Sequence, residues 1–410
     1  MTPDRPGASR SRRRLATLAA LAVSLGALSA CESDRAATDG QESRGQDAGA
    51  AGDAGAAPAG EEARVAVRSN VRPGAQGVPV DTLLQVRAEG GDLLGVEVTS
   101  AAGILPGHRQ DGAWRATERL EPATAYDVRV RVRGTDGPVV RQRRFRTADL
   151  ALSQQTYASV APLAGETVGV GMPVVVQFDL PVTDRAAMER EMHVESTPRQ
   201  AGSWHWLSDT EVHYRPREYW QAGSEVVVDL DVNGVDAGGG IYGQESREVA
   251  FTVGPAHVYR VDAQRHTMEV YSDGRLLRTI PITTGKAGFT TRSGTKVVME
   301  KYESKRMDSE TVGIGGDEAY DIDDVQWAMR LTSSGEFIHA APWSVGSQGS
   351  ANVSHGCTGM STDQAAWLYA MTRRGDVVEY TGTDRPMTLD NGFGDWNATW
   401  RDYRAGSALG

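Results

Sequence analysis

The sequence predicts a mainly β protein: two tandem sandwiches of short strands, then a larger, mostly β domain with one main helix. Three observations lead there. Residues 126–134 (YDVRVRVRG) alternate apolar and charged side chains with period two, the pattern of a half-buried antiparallel strand. Residues 225–234 (EVVVDLDVNG) repeat that pattern about a hundred positions later, again with a return strand behind them. The clearest helix candidate, residues 362–375 (TDQAAWLYAMTRRG), comes only near the C-terminus.

The first element is an export signal over residues 1–31. Arginines open it (SRSRRR), sixteen apolar or small residues follow (LATLAALAVSLGALSA), and Cys31 closes it. A membrane-spanning helix needs about 20 such residues, so a cleaved signal fits better than a permanent span. LSAC, residues 28–31, resembles the lipobox of bacterial lipoproteins, which implies that Cys31 becomes the lipidated N-terminus. SRRRLAT resembles a twin-arginine signal, so general secretion and twin-arginine export both stay open. Residues 32–62 contain no Val, Ile, Leu or aromatic residue and cannot offset the entropy of ordering. They are expected to form a disordered tether with a span of roughly 30 Å.

The remaining residues suffice for two or three domains. The formal charge of the 410-residue chain is −11, and no basic stripe is evident in the folded part, so nucleic acid is not an expected partner. Residues 63–148 carry short strands (LLQVRA, VEVTS) and a hairpin in which TDGP turns YDVRVRVRG into VVRQRRFRT. No amphipathic helix interrupts them, and an immunoglobulin-like sandwich is the natural class. Residues 149–254 read as a second one, with a short helix in DRAAMEREM capped by Asp184. Its aromatic cluster, WHWLSDTEVHYRPREYW, admits a carbohydrate-binding platform, but packing within a sandwich core is the expected role.

Residues 255–383 form the third domain. Asp273-Gly274 marks a hairpin turn, RSGTKVVMEKY continues the β pattern, and DVVEYTG closes it. The helix between is expected to bury Ala366, Tyr369 and Ala370, with Ser361 or Thr362 as cap and Gly375 as its end. Residues 384–410, aromatic and polar, are expected to pack on this domain. The acidic run at 315–324 (GGDEAYDIDD) lacks the spacing of a calcium loop and reads as a solvated lid. No His/Cys cluster has zinc-ligand spacing, and neither metal nor cofactor is expected.

With Cys31 lipidated, Cys357 is the one remaining thiol. A lone cysteine is commonly a small buried hydrophobe, so its neighbours must decide. The stretch FIHAAPWSVGSQGSANVSHGCTGMS places His339 eighteen residues before Cys357 and His355 two before it. A thiol attacks carbonyls as thiolate, so a nearby imidazole or a helix N-terminus is expected to lower its pKa. Gly356 allows close backbone approach to a substrate. His339 ends an apolar strand, from which its ring could reach the cysteine loop.

This segment closely resembles the active site of the L,D-transpeptidases, the YkuD-like catalytic family, whose signature is a His, a spacer of about fifteen residues, then Ser/Thr-His-Gly-Cys. It looks like the multidomain lipoprotein branch with two immunoglobulin-like domains. The resemblance implies that Cys357 attacks the L,D bond after the third residue of a peptidoglycan stem peptide, releasing D-alanine and forming a thioester. It implies that His339 is the general base, oriented by the Ala340 carbonyl, and that His355, Gly356 and Cys357 supply an oxyanion region through backbone N–H groups. An amine of a second stem then resolves the thioester, linking third residues. Met307, Tyr320, Ser354 and Trp343 resemble pocket, lid or motif positions of the family. Carbapenem-type β-lactams are expected covalent inhibitors, and the lipid anchor would hold the enzyme outside the membrane, facing the wall.

One departure stands out. The family usually has Asn or Arg two residues after the cysteine, where this chain has Gly359. The alternatives are an L,D-carboxypeptidase that uses water as acceptor, and a wall-binding lipoprotein that recognises stems without turning them over. A papain-like protease is disfavoured, because its local cysteine signature and distant downstream His are both missing.

Overall fold

The structure, a computed structural model, describes residues 65–410. The signal, the lipobox Cys31 and the tether lie outside the described residues. Among those described, no helix is long and apolar enough to cross a membrane.

The first sandwich closes two four-stranded sheets over one core. One sheet runs Ala66–Ser69, Gln85–Glu89, Ala113–Ala116, Gly107–Gln110; the other runs Gly103–Ile104, Asp92–Ser100, Ala125–Gly134, Gly137–Arg146. The period-two pattern sorts as expected: Tyr126, Val128, Val130 and Val132 are buried while Arg129, Arg131 and Arg133 are exposed. These arginines do align in a row. The register sets Glu97 opposite Arg129 and Asp92 opposite Arg133, so the face is mixed in charge. The Tyr126 hydroxyl accepts from the Glu121 amide at 2.8 Å, a corner that pins strand to loop in immunoglobulin-like sandwiches.

The second sandwich repeats the plan, and its aromatic cluster is core. Trp204, Trp206 and Trp220 are buried, and their indole N–H groups donate to Met192 O, Glu189 Oε2 and Met172 O at 2.8–3.1 Å. An aromatic platform for sugars would need those rings at the surface. The short helix Arg185–Glu189 is capped by Asp184, whose Oδ1 accepts from Ala187 N at 2.9 Å.

The third domain has two sheets. Its elements are β1 (His257–Asp262), β2 (Thr267–Ser272), β3 (Arg275–Pro281), β4 (Gly294–Val297), β5 (Glu300–Asp308), β6 (Asp321–Arg330), β7 (Phe337–Ala340), β8 (Thr358–Met360), α1 (Thr362–Met371) and β9 (Val377–Thr381). One sheet has the order β3-β2-β1-β9-β4 and the other β5-β6-β7-β8. Only β1/β9 and β7/β8 pair in parallel. Asp273 and Gly274 turn β2 into β3 with φ of 49° and 76°, as a two-residue hairpin with matching twist requires. Tyr259, Met268 and Ile280 from the first sheet meet Met329, Ile338 and Met360 from the second in one core, and Leu368 of α1 joins them.

Helix α1 differs from expectation in face and end. Ser361 caps it, accepting from Gln364 N, but Ala365 and Leu368 are the buried positions and Ala370 is exposed. Residues 365–371 are apolar without a break, so their pattern does not select a face. The helix stops at Met371, and Gly375 (φ 94°) serves another purpose: a Cβ there would lie 2.6 Å from the Met172 Cβ of the second sandwich. The glycine lets the two domains touch.

The C-terminal segment bridges two domains. Asn397 brackets Thr295 on β4, accepting from its N–H at 2.8 Å and donating to its carbonyl at 2.7 Å. Beyond it the helix Trp400–Arg404 leaves the catalytic domain for the second sandwich, where Tyr403 O lies 2.7 Å from His205 Nδ1 and Ser407 donates to Glu189.

Candidate active site

The site forms where β7 and β8 lie side by side. Ile338 pairs with Thr358, His339 with Gly359 and Ala340 with Met360. Continuing the register one step back sets Phe337 beside Cys357. Alternation along a strand then turns His339 and Cys357 to the same sheet face, two residues apart in the register. Strand β7 is buried throughout, so the imidazole rises from a rigid support.

The ring is held by its own strand. His339 Nδ1 lies 2.7 Å from the Ala340 carbonyl, which can only accept, so Nδ1 carries the proton and Nε2 is the basic nitrogen. Burial holds the imidazole pKa below its ordinary value, outweighing that carbonyl contact. The thiol is neutral at rest as well. Burial pushes Cys357 up to about 11, with the Phe337 backbone pulling down, Glu336 pushing up, and Lys296 and Arg330 pulling down. Its Sγ donates to the Gly335 carbonyl at 3.7 Å. A thiolate stabilised in the resting site is therefore not what folds here. Nor does α1 start at the cysteine: the three residues of β8 and the Ser361 cap stand between them, roughly 16 Å of extended chain from Cys357 to Thr362.

The cysteine loop is braced from within. Gly356 adopts φ 125°, a conformation that disfavours any side chain. Ser354 Oγ accepts from the Gly356 amide at 3.1 Å and donates to the Cys357 carbonyl at 2.6 Å; Thr291 Oγ1 donates to the Gly356 carbonyl at 2.7 Å. Ser354 is thus a loop brace, and the Gly356 N–H is already engaged rather than free for an oxyanion. The His355 ring turns toward the lid, with Nε2 2.7 Å from Glu318 Oε2, and it packs edge-to-face with Phe289 and tilted against Tyr320.

The strands β5 and β6 and the turns Ser309–Val312 and Gly316–Glu318 between them arch over the sulfur as a lid, and the acidic run forms its far end. Beneath it lies a cavity of about 250 Å³ with His339 and Cys357 at its base, Met307, Tyr320, Ile322 and Val325 from the lid, and Trp343, Val353, Ser354 and His355 at its rim. A second hollow of about 460 Å³ reaches Cys357 from the other side of Met307 and Tyr320, past Arg330 and Gly335. Burial pushes the Tyr320 phenol up to about 12. Among the expected residues, Ala340 and Gly356 act through the backbone and line neither space. Ile322, Val325 and Val353 escaped sequence reasoning. For the first two a signal existed: they are the apolar positions in DIDDV, an otherwise acidic run.

Gly359 is explained by packing. A Cβ there would lie 2.8 Å from Ala341 Cβ and 3.1 Å from Thr283 Cγ2, so these two side chains occupy the room a polar residue would need. Gly359→Asn is expected to cost about 1–3 kcal/mol of stability, the usual penalty of overpacking. Adding Ala341→Gly should recover much of it. Urea unfolding of both variants checks this; an undiminished loss in the double variant would refute the packing account.

The family profile described as L,D-transpeptidase catalytic domain matches residues 256–379, and the one described as bacterial Ig domain matches residues 75–236, a span that crosses both sandwiches. The chain is similar to L,D-transpeptidase 2 of Mycobacterium tuberculosis (strain CDC 1551 / Oshkosh), 36% identical over 346 residues that cover 83% of this chain and 84% of that protein. It is similar to L,D-transpeptidase 5 of Mycobacterium tuberculosis (strain ATCC 25618 / H37Rv), 34% identical, covering 84% and 78%. Among solved structures, that of the LD transpeptidase LdtMt1 in complex with imipenem aligns with a TM-score of 0.50 at 36% identity, covering 56% of this chain and 99% of that one.

Proposed function

The chain belongs to the L,D-transpeptidase family, and from that premise we propose that it joins the third residues of peptidoglycan stem peptides through a thioester on Cys357. The observation that carries this reading is the fixed tautomer of His339: with Nδ1 committed to Ala340 O, the free Nε2 belongs to the same cavity as the sulfur.

The chemistry follows from two neutral partners. As Sγ attacks the carbonyl of the third stem residue, its proton passes to His339 Nε2. The imidazolium returns that proton to the departing amine of D-alanine, leaving the thioester. The neutral side-chain amine of a second stem then attacks the thioester carbonyl; its proton passes to Nε2 and from there to Sγ as the C–S bond breaks, leaving the new amide and the free thiol. With the Gly356 amide engaged, the amides of His355 and Cys357 are our candidates for the oxyanion donors. Lidded apolar surroundings from Met307, Ile322 and Val325 favour an amine over water as acceptor. Carbapenem-type β-lactams would acylate the same sulfur; imipenem is bound in the related LdtMt1 structure. We place the enzyme outside the cell membrane, tethered through Cys31, on the strength of the LSAC motif.

Incubation with disaccharide tetrapeptide should release D-alanine and yield dimer linked at the third residues. Tripeptide alone would mean carboxypeptidase, and neither product would sink the reading. The same assay fixes the protonation scheme. Protonated His339 cannot take the thiol proton, so kcat/KM falls as pH drops through its pKa. That pKa is depressed, so the acid limb should have its midpoint below 6.5, the ordinary value. In a profile from pH 5 to 10 an acid midpoint above 6.5 would refute this assignment, whereas a preformed thiolate–imidazolium pair would show as an alkaline limb where the imidazolium loses its proton.

A further inference from the structure

The second hollow beside the sulfur, about 460 Å³, is a charged space, whereas the cavity that holds His339 is lined mostly by apolar and aromatic side chains. Lys305, Arg306, Asp308 and Arg330 line it, three cations against one carboxylate. Arg306 is spent on Asp321 and Asp323, the Lys305 ammonium lies 4.4 Å from the centre of the Tyr302 ring, and Asp308 accepts from the Glu310 amide at 2.9 Å. Arg330 is the one in line with the nucleophile. It ends β6 directly opposite Phe337, and Phe337 lies beside Cys357, so the three form a row across adjacent strands on one sheet face. Strands lie about 4.8 Å apart, which puts the Arg330 and Cys357 backbones roughly 10 Å from each other. The guanidinium leans along that row, with its carbon 4.7 Å from the centre of the Phe337 ring.

The guanidinium has donors to spare. Nε donates to Glu300 at 2.8 Å and Nη1 reaches the Thr332 carbonyl only at 3.4 Å, while Nη2 has no partner among the described residues. The side chain is 24% exposed, so it borders the hollow while largely shielded from bulk solvent. A guanidinium edge of two N–H groups is the shape that a carboxylate fits with two parallel hydrogen bonds. The proton transfers say which part of the substrate comes there. The departing amine of D-alanine and the incoming amine both exchange protons with His339 Nε2, and His339 lines the first cavity and not the second. The acyl half of the donor, on the other side of the attacked carbonyl, is left with the second hollow. Resting on the thioester reading above, we propose that Arg330 is a specificity-determining residue whose open edge takes a carboxylate on the acyl half of the donor stem. Two carboxylates qualify: the free α-carboxylate of a γ-linked glutamate at position two, and one on the side chain of a diamino acid at position three.

The test uses the full chain with Cys357→Ala, so that binding is read without turnover. Calorimetry compares four disaccharide tetrapeptides whose residue three carries a side-chain carboxylate: one with every carboxylate free, and three amidated singly at position two, on the residue-three side chain, or at the terminal D-alanine. Amidation at one of the first two places should weaken binding about tenfold, the scale of one charge-assisted contact, and the place that does so identifies the source. Arg330→Gln in the same background should weaken the free peptide about tenfold and abolish the sensitivity to that amidation, a coupling that a merely structural role would not produce. Equal weakening of all four peptides by Arg330→Gln, no binding of the free peptide, or coupling to the terminal D-alanine instead overturns the proposal. Arg330→Met, which keeps the side-chain stem beside Phe337, takes over should Arg330→Gln fail to fold. D-Alanine release by the unsubstituted protein from the free peptide separates the two readings: its absence removes the thioester reading, and the binding cycle still decides the role of Arg330.

Discussion

Cys357→Ala is expected to abolish both D-alanine release and dimer formation, by at least about 10⁴-fold, while leaving the fold intact. No other group in the cavity can take over. The Ser354 hydroxyl is spent on the Cys357 carbonyl and the Gly356 amide, and the Tyr320 phenol stays protonated with its pKa at about 12. Cys31, the other cysteine of the sequence, lies outside the described residues, in the segment expected to be an export signal. The substitution removes one buried sulfur from the small cluster of Met307, Val325, Ala328 and Phe337, a change on the order of 1 kcal/mol. The assay on tetrapeptide, with a mass measurement after carbapenem treatment, checks both halves: no product and no adduct in the variant. Residual turnover within tenfold of the unsubstituted protein would assign the nucleophile elsewhere.

The parts of this site that were legible in the sequence are those that depend on short-range pattern. His339 at the end of an apolar strand and Ser-His-Gly-Cys before a capped helix are local features, and β7 and β8 place them side by side. Electrostatic state was not legible. The sequence shows a histidine and a glycine near a thiol, but whether the thiol pKa falls or rises depends on burial, and burial wins here. Lys296 was hidden for a related reason. A lysine within GTKVV, before an apolar pair, conflicts with a buried strand, and its partner Glu336 is forty residues away with no periodicity to connect them. Gly359 marks the converse case: the missing polar group draws notice in the sequence, while its cause, the Ala341 Cβ, is visible only once the chain has folded.

Long-range charge also governs how the catalytic domain is fastened to its neighbour, and there the second large effect is expected. His213 on the second sandwich and Asp395 in the C-terminal segment are both buried, with Nδ1 3.0 Å from Oδ1; Nε2 lies 3.0 Å from Glu211, and the Tyr403 hydroxyl donates to Asp395 at 3.0 Å. Beside them the Arg215 guanidinium lies against the rings of Trp396, Trp400 and Tyr403. Burial opposes the imidazolium, but Asp395 and Glu211 outweigh it and hold His213 up to about 9. Asp395 is depressed in turn: burial pushes it up, and the His213 charge and hydrogen bonds more than compensate. Removing one partner strands the other, so Asp395→Asn should destabilise the protein by about 3–5 kcal/mol near pH 6. The signs fix the window. The histidine's raised pKa contributes stability that is complete below 6.5 and lost as pH rises through about 9, and the aspartate's contribution is present above 3.8 and lost as pH falls through its depressed value. The penalty of Asp395→Asn should therefore be greatest near pH 5–6 and shrink above pH 9. Urea unfolding of both proteins at pH 5.5, 7.5 and 9.5 tests it, and a penalty that grows with pH would show that the pair is not held as imidazolium and carboxylate.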